Sequence, residues 1–275
     1  MTVYLPNGFG DYPTGDSFVQ AKPLTISGNV WYVDPVNGFD SMAPRGLDER
    51  QPLLTLTQAL GNASDHDIIV LLGSVALTSP LAISKPIVLM GAHKTGGKPA
   101  WTVARQGGAN VALFTITADD VQLRNLAFTA TGSDVPDYVP VPAARIVVSG
   151  TRFRMVGCTV DSGHNDTGPA LNLAVGASVI ELRDCVFTSV SDTSQPESAI
   201  KSAALLDGLR IYSCTLDGGL KGYSNYHAAN FSAAAITRME AEGLSLLRGA
   251  DMKLHAASTG WVHVEKATGG ARVDW

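Results

Sequence analysis

The chain has 275 residues, of which 45% are hydrophobic and only 16% are charged, and its formal net charge is −5. This charge argues against wrapping nucleic acid, since phosphate binding needs clustered Lys and Arg. No apolar run reaches the roughly 18 residues of a membrane-spanning helix. The 3 Cys residues show no CxxC spacing, which argues against a disulfide framework or a zinc site.

The first two segments are predicted to precede the regular body of the protein. Residues 1–28 hold Gly, Pro and Asp with few periodic apolar positions, and we interpret them as an extended N-terminal arm. They lack the basic and apolar regions of a secretory signal, so synthesis in a reducing cytoplasm is expected. Residues 29–66 are predicted to form an opening strand, a loop and a cap helix. The helix would present one apolar face made of Leu53, Leu56, Leu60 and Ala63.

An eight-residue pattern recurs through residues 67–255. It reads VQLRNLAF at 121–128, FRMVGCTV at 153–160, IELRDCVF at 180–187 and LRIYSCTL at 209–216. The first, third, sixth and eighth positions are apolar in every copy, which predicts short strands with one buried face. The alternation shifts once, at residue types that tolerate a left-handed turn. These turn residues are Asn125, Gly157, Asp184 and Ser213.

The sixth position of the pattern marks one side chain per repeat. Weaker copies of the pattern extend the marker position to Ala92 upstream and Ala250 downstream, with spacings of 27 to 36 residues. Such spacing suits one coil of a solenoid with two or three strands. We therefore predict that the cysteines form a buried file and not a metal or redox site. This predicted core ladder comprises Leu126, Cys158, Cys185 and Cys214.

Aromatic residues gather near the end of the chain. A long excursion at 220–236 carries Tyr223, Tyr226 and Phe231, and the closing segment 256–275 carries Trp261 and Trp275. We interpret these five side chains as a candidate contact surface. They would pack onto the body, stack on sugars or contact another subunit, because aromatic residues are enriched at such interfaces.

The repeat and the opening of the chain resemble a known family. The opening reads WYVDPVNGFDS at 31–41, QPLLTLTQAL at 51–60 and DIIVLLGSVAL at 67–77. Together these features resemble the pectate-lyase-like right-handed parallel β-helix proteins, among them bacteriophage tailspikes and virion surface proteins. The resemblance implies an all-β fold of single-stranded, right-handed, parallel coils with a short N-terminal capping helix. It also implies a homotrimer.

Two acidic residues are the candidates for catalysis. Asp161 and Asp217 are predicted to share one outward column with Thr188 between them, and His164 lies in the adjoining loop. Two coils correspond to about 10 Å, near the upper limit for the two carboxyl groups of inverting glycosidases. Asp residues also commonly begin turns, and that structural role is the favoured interpretation. The scattered His residues lack ligand spacing, so no metal or other cofactor is predicted.

These features favour a non-enzymatic bacteriophage virion protein, which is assembled after synthesis in the host cytoplasm. The β-helix would lie on the capsid, as a decoration or cement protein, or on the tail surface. Its partners would be other virion proteins, which it would contact through the arm, with neither nucleic acid nor membrane involved. The first alternative is a polysaccharide lyase or glycosidase of the tailspike type that uses Asp161, Asp217 and His164. The second is an adhesin that binds host surface glycans without cleaving them.

Overall fold

The structure is a computed structural model, and it describes residues 28–40, 45–92, 101–105, 112–130, 145–161, 168–188, 198–202, 204–218, 227–231, 233, 235–248, 250–267 and 273–274. The helix is α1 (Leu56–Asn62). In chain order the strands are β1 (Val30–Val33), β2 (Ile68–Leu71), β3 (Val75–Leu77), β4 (Leu81–Ile83), β5 (Val88–Gly91), β6 (Trp101–Arg105), β7 (Phe114–Ile116), β8 (Gln122–Arg124), β9 (Leu126–Ala130), β10 (Ile146–Val148), β11 (Arg154–Val156), β12 (Thr159–Asp161), β13 (Leu171–Leu173), β14 (Ser178–Arg183), β15 (Val186–Thr188), β16 (Ile200–Ser202), β17 (Leu206–Tyr212), β18 (Thr215–Asp217), β19 (His227–Phe231), β20 (Ile236–Leu247), β21 (Asp251–Leu254), β22 (Gly260–Ala267) and β23 (Val273–Asp274).

Each regular coil contributes one strand to each of three parallel columns. The first column runs β1-β2-β5-β8-β11-β14-β17-β20, and the second runs β3-β6-β9-β12-β15-β18-β20. The long strand β20 passes through both and joins them, with β22, into one 15-stranded sheet. The third column is an 8-stranded sheet in the order β4-β7-β10-β13-β16-β19-β21-β23. The parallel β-helix with a short helix near its start, predicted from the sequence, is confirmed.

The buried interior follows from the repeat. All sixteen apolar positions of the four quoted copies lie in the core, and each exposes 1% or less of its surface. The pairings Met155↔Leu182 and Val160↔Phe187 show that equivalent positions of neighbouring coils stack directly. Because each side chain lies on its counterpart, the core is a set of continuous apolar files.

Left-handed residues form the corner between the first and second columns. The predicted turn residues have positive φ: 53° at Asn125, 62° at Gly157, 52° at Asp184 and 51° at Ser213. Non-Gly residues tolerate this region best when a short polar side chain bonds locally, as Asn, Asp and Ser do. The change of direction lets both flanking strands face one interior.

The predicted frame is wrong at both ends of the marker file. Trp101, not Ala92, pairs with Leu126, because residues 93–100 intervene between the strands of that coil. Downstream, the stretch MEAEGLSL at 239–246 is a further copy of the pattern, with Gly243 at φ 65°. Leu244 therefore continues the file after Cys214, whereas Ala250 lies just before β21 of the third column.

A cap covers the first coil. Helix α1 buries Leu56 and Ala59 against the core, as its predicted apolar face requires. The Lys85 ammonium donates hydrogen bonds to the carbonyls of Leu60 at 3.5 Å and Ala63 at 2.5 Å, at the end of the helix. A cation at this end is favourable because the last helical carbonyls lack partners within the helix.

A buried carboxylate ties the opening strand to the cap. Asp67 is 1% exposed, and it accepts hydrogen bonds from Asn29 N at 2.6 Å, Trp31 Nε1 at 2.8 Å and Ser64 N at 2.7 Å. Three donors replace the water that this group loses on burial. One side chain therefore holds the opening strand, the end of the cap and the first coil together.

The closing segment extends the solenoid. Strand β22 pairs in parallel with β20, where Glu240 faces Trp261 and Ala241 faces Val262. The described part of the predicted closing segment is therefore a further coil stacked on the body. Among the residues that the structure describes, no helix is long and apolar enough to cross a membrane.

Candidate functional site

The outward face of the first column carries a group of charged side chains from successive coils. Parallel pairing brings Gln122, Arg154, Glu181, Arg210 and Glu240 into one row, one residue per coil. Strand alternation points them away from the core, and neighbouring strands lie about 4.8 Å apart. The sign of the charge alternates from Arg154 to Glu240, so neighbouring side chains of these four coils have opposite charges.

A second row lies two residues further along the same strands. It contains Arg124, Val156, Arg183, Tyr212 and Glu242. We name one group from the two rows the arginine face, since it has more guanidinium groups than carboxylates. The arginine face consists of Arg124, Arg154, Arg183, Arg210, Glu181, Glu240, Glu242 and Tyr212.

Ion pairs link the two rows and the neighbouring coils. Glu181 Oε2 lies 3.6 Å from Arg154 Nε, and Glu181 Oε1 lies 3.3 Å from Arg183 Nε. Arg210 Nε lies 3.3 Å from Glu240 Oε2. The Glu181 side chain is only 16% exposed, whereas the arginines beside it are 46% exposed. The carboxylates thus lie low on the surface, and the guanidinium groups cover them and face solvent.

Tyr212 is held between the two rows. Its hydroxyl donates a hydrogen bond to Glu240 Oε2 at 2.7 Å, and the Arg183 guanidinium lies 5.0 Å from the centre of its ring. Burial, followed by this hydrogen bond to a carboxylate, raises the pKa of Tyr212 to about 12. Burial and the nearby Arg154 lower the pKa of Arg124, which donates to the side-chain oxygen Oε1 of Gln122 at 2.7 Å.

The composition of this face suits anionic groups. Four guanidinium groups stand against three carboxylates, those of Glu181, Glu240 and Glu242, so the face has one more positive than negative charge. Guanidinium groups bind carboxylates, sulfates and phosphates through planar paired donors. In the described part of the chain, no cluster of three or more His, Cys, Asp or Glu is arranged to hold a metal ion.

The predicted acidic pair does share one outward column. Asp161 pairs with Thr188, and Thr188 pairs with Asp217. Asp217 accepts hydrogen bonds from both Nε and Nη2 of Arg248 in the next coil, and its side chain is 14% exposed. A guanidinium bound in this way stabilises the charged carboxylate, which favours a structural over a proton-donating role. His164 lies outside the described residues.

The candidate contact surface divides into different environments. Phe231 is fully buried and packs in the main core, so its assignment to a surface is wrong. Its position in β19 alternates inward, which the irregular sequence around it did not reveal. Trp261 is 47% exposed in β22. Tyr223, Tyr226 and Trp275 lie outside the described residues.

The predicted core ladder is a buried file. The pairings beside the cysteines place Leu126, Cys158, Cys185 and Cys214 at one position of successive coils, and all four are 1% exposed or less. The Cys185 thiol donates to the carbonyl oxygens of Met155 and Arg183 at 3.4 and 3.2 Å. Burial raises the pKa of the Cys158 thiol, which keeps it in the unreactive neutral form.

Reasoning from the sequence did not identify the arginine face. The signal was present, because the repeat places Arg124, Arg154, Arg183 and Arg210 at outward positions of successive copies. A charged residue on a strand normally indicates only a solvated face. The informative feature was the excess of positively charged residues at outward positions of adjacent coils.

The strand pairing of this chain defines it as a parallel β-helix protein. No protein-family profile matches the chain, and no curated protein matches it. Among solved structures, the crystal structure of pectate lyase Pel9A is similar, with a TM-score of 0.48 and 10% sequence identity over 90% of this chain and 79% of that chain. At this degree of similarity, neither fold nor chemistry is inferred from the match.

Proposed function

We propose that this chain is a structural β-helix module of a bacteriophage virion, a non-enzymatic protein mounted on the capsid or on the tail surface. The observation that carries the proposal is the pairing of outward charges between neighbouring coils. Arg154 with Glu181, Arg210 with Glu240 and Asp217 with Arg248 each join one coil to the next. Several charges that form a network hold a surface in place better than isolated ion pairs do, as a structural module requires.

The phage assignment draws its support from the resemblance of the repeat and the opening to virion β-helices. In this proposal, other virion proteins bind the arm at residues 1–28, and the coils project from the particle. A capsid decoration protein would be present in many copies per particle, whereas a tail protein would be present in few. The copy number therefore distinguishes the two locations.

The test is the composition of the particle. Virions of the phage whose genome encodes this chain would be purified, and the chain quantified by mass spectrometry against the major capsid protein. We expect a fixed ratio, and a matching β-helix in the cryo-electron microscopy reconstruction. Deletion of residues 1–27 should release the chain from the particle without unfolding it. Purified, infectious particles that lack the chain would contradict the proposal.

A second candidate function is the binding of an anionic glycan, which the arginine face favours. Within each of the two rows the arginines lie two coils apart, about 10 Å, a spacing suited to carboxylates or sulfates that repeat along a polymer. Binding of a uronate-containing polysaccharide would be measured by calorimetry and compared with binding of a neutral one. Arg183→Ala should weaken binding, whereas Arg238→Ala, at a different corner of the coil, should leave it unchanged.

The length of the polymer after incubation with the protein separates binding from cleavage. A binding protein would return the polymer at its original length, whereas a lyase or hydrolase would shorten it. If fragments appear, Asp161→Asn and Asp217→Asn are the variants that test the acidic pair. Loss of cleavage in both, with the melting temperature retained, would favour the enzyme over the structural role.

A further inference from the structure

An exposed apolar ridge runs across two neighbouring coils. Val175 is 82% exposed, Leu205 is 67% exposed and Val179 is 44% exposed. All three lie at or near the corner between the third and first columns. The pairing of Ser178 with Asp207 places Leu205 beside Gly176, one residue from Val175. Three exposed aliphatic side chains at one corner are a candidate interaction surface.

The backbone at this corner is strained at one member of the ridge. Val179 has φ 53°, a left-handed conformation that is sterically unfavourable for an L-residue and unusual for a β-branched side chain. The equivalent residue of the next coil is Gly208, with φ 81°, which has this freedom without cost. A strained residue with an exposed apolar side chain points to a function for that side chain.

Val179 is the middle member of a row along the body. Asp120, Arg152, Val179, Gly208 and Arg238 occupy equivalent positions in five successive coils, each two residues before a paired residue of the first column. All five have positive φ. An acidic residue therefore lies two coils to one side of Val179, and a basic residue lies two coils to the other side.

This arrangement is complementary to itself. A twofold axis through Val179 would place Asp120 of one copy opposite Arg238 of the second, at about 10 Å from the axis on each side. Arg152 of one copy would face Asp207, the neighbour of Gly208, in the other. Within one chain Asp120 pairs with Arg152 and Arg238 pairs with Asp207. Because Asp120 is still 43% exposed and Arg238 is 71% exposed, each internal pair has surface left to face the opposite pair of the second copy. A parallel arrangement would instead bring like charges together.

We propose that the ridge Val175, Val179 and Leu205 binds a second copy of this chain, with the two solenoids antiparallel and Val179 on the twofold axis. The interface is isologous, since one patch meets itself. The contact goes beyond the proposed function, because it concerns neither the particle nor the arginine face. The apolar residues form its centre, and the charged residues fix its orientation.

The sharpest test uses a cysteine on the axis. The native cysteines are buried, so Val179→Cys adds an accessible thiol, and only an axis position brings it against its own copy. Mild oxidation of the full chain should convert this variant to a covalent dimer, seen on a non-reducing gel. The control is Val36→Cys, at a position that is 82% exposed and lies near the opening strand. It should form no covalent dimer on the same gel.

Analytical sedimentation provides a second test. The unmodified chain should sediment as a dimer, and both Val179→Asp and Leu205→Asp should shift it to a monomer while circular dichroism stays unchanged. The second variant keeps the test decisive if the first variant fails to fold. A monomer or a trimer for the unmodified chain, or equal cross-linking of Val179→Cys and Val36→Cys, would overturn the proposal. The trimer is the state that the family resemblance implies, so the measurement separates the two.

Discussion

The Arg238 guanidinium donates two hydrogen bonds to the Asp207 carboxylate of the preceding coil, from Nε at 3.0 Å and from Nη2 at 2.6 Å. Asp207 also accepts from the Thr237 hydroxyl at 2.7 Å. These contacts lower the pKa of Asp207, with the Thr237 hydrogen bond the larger cause and Arg238 the next. A carboxylate with a lowered pKa stabilises the fold only while it is ionised.

The first prediction is a pH-dependent contribution from this carboxylate. Because the folded-state pKa of Asp207 lies below its unfolded value of about 3.9, its contribution is present above that pH and is lost as the pH falls through the folded-state value. Asp207→Asn should lower the urea midpoint at neutral pH, and the difference should shrink in acid. Glu265→Gln, in β22, is the control. A difference that stays constant across the titration would contradict this assignment.

The second prediction separates backbone strain from steric contact. A Cβ added at Gly157 would meet no atom within 4 Å, yet Gly157 has φ 62°. Gly157→Ala should therefore cost about 1 kcal/mol of unfolding free energy from conformation alone. Gly61 also has open space but lies in α1 without positive φ, so Gly61→Ala should stabilise by about 1 kcal/mol. Urea unfolding of both variants measures the opposite signs, and equal signs would argue against the left-handed corner.

The third prediction concerns the two described aromatic residues of the candidate contact surface. Phe231 is fully buried, whereas Trp261 is 47% exposed. Phe231→Ala should destabilise by about 3–5 kcal/mol, since it leaves a cavity in the core. Trp261→Ala should cost no more than about 1 kcal/mol, as expected of a surface position. Thermal unfolding compares them, and similar losses in both variants would place Phe231 outside the core.

The fourth prediction concerns Tyr212. Its pKa is raised to about 12 by burial and by the hydrogen bond to Glu240, so its phenol should ionise later than an ordinary tyrosine. The neutral phenol stabilises the fold fully below the unfolded pKa of about 10, and this contribution is lost as the pH rises through the folded value. Ultraviolet titration of the protein against Tyr212→Phe isolates the transition. Ionisation of this tyrosine at its unfolded pKa would contradict the contact with Glu240.

The repeat predicted the body of the fold because it contains both the alternation and its interruption. The same residue types that break the alternation, Asn125, Gly157, Asp184 and Ser213, have left-handed backbones in the structure. The ends were harder to predict. Residues 93–100 separate Ala92 from Trp101. The run LSLLRGADM resembles the pattern, but it lies at the next corner of the coil. A local pattern does not reveal an insertion between two strands of a coil.

The candidate sites were predicted less well than the fold. The shared column of Asp161 and Asp217 followed from register alone and is present. The partner of Asp217 did not follow, because Arg248 reaches it from the next coil. The arginine face likewise depends on side chains from several coils, whose contacts emerge only once the register is known. Sequence spacing indicates which residues share a column but not which of them neutralise each other.

Five of the described coils have two left-handed corners, and these have a consequence for how the solenoid tolerates change in length. In each of the five, the two corner residues span the same interval: 120–125, 152–157, 179–184, 208–213 and 238–243. This interval has a fixed length, and the variation in length between these coils falls in the remaining connections. A duplicated coil that begins and ends at the same corner would therefore lengthen the rod by one strand spacing of about 4.8 Å and leave every other contact in place.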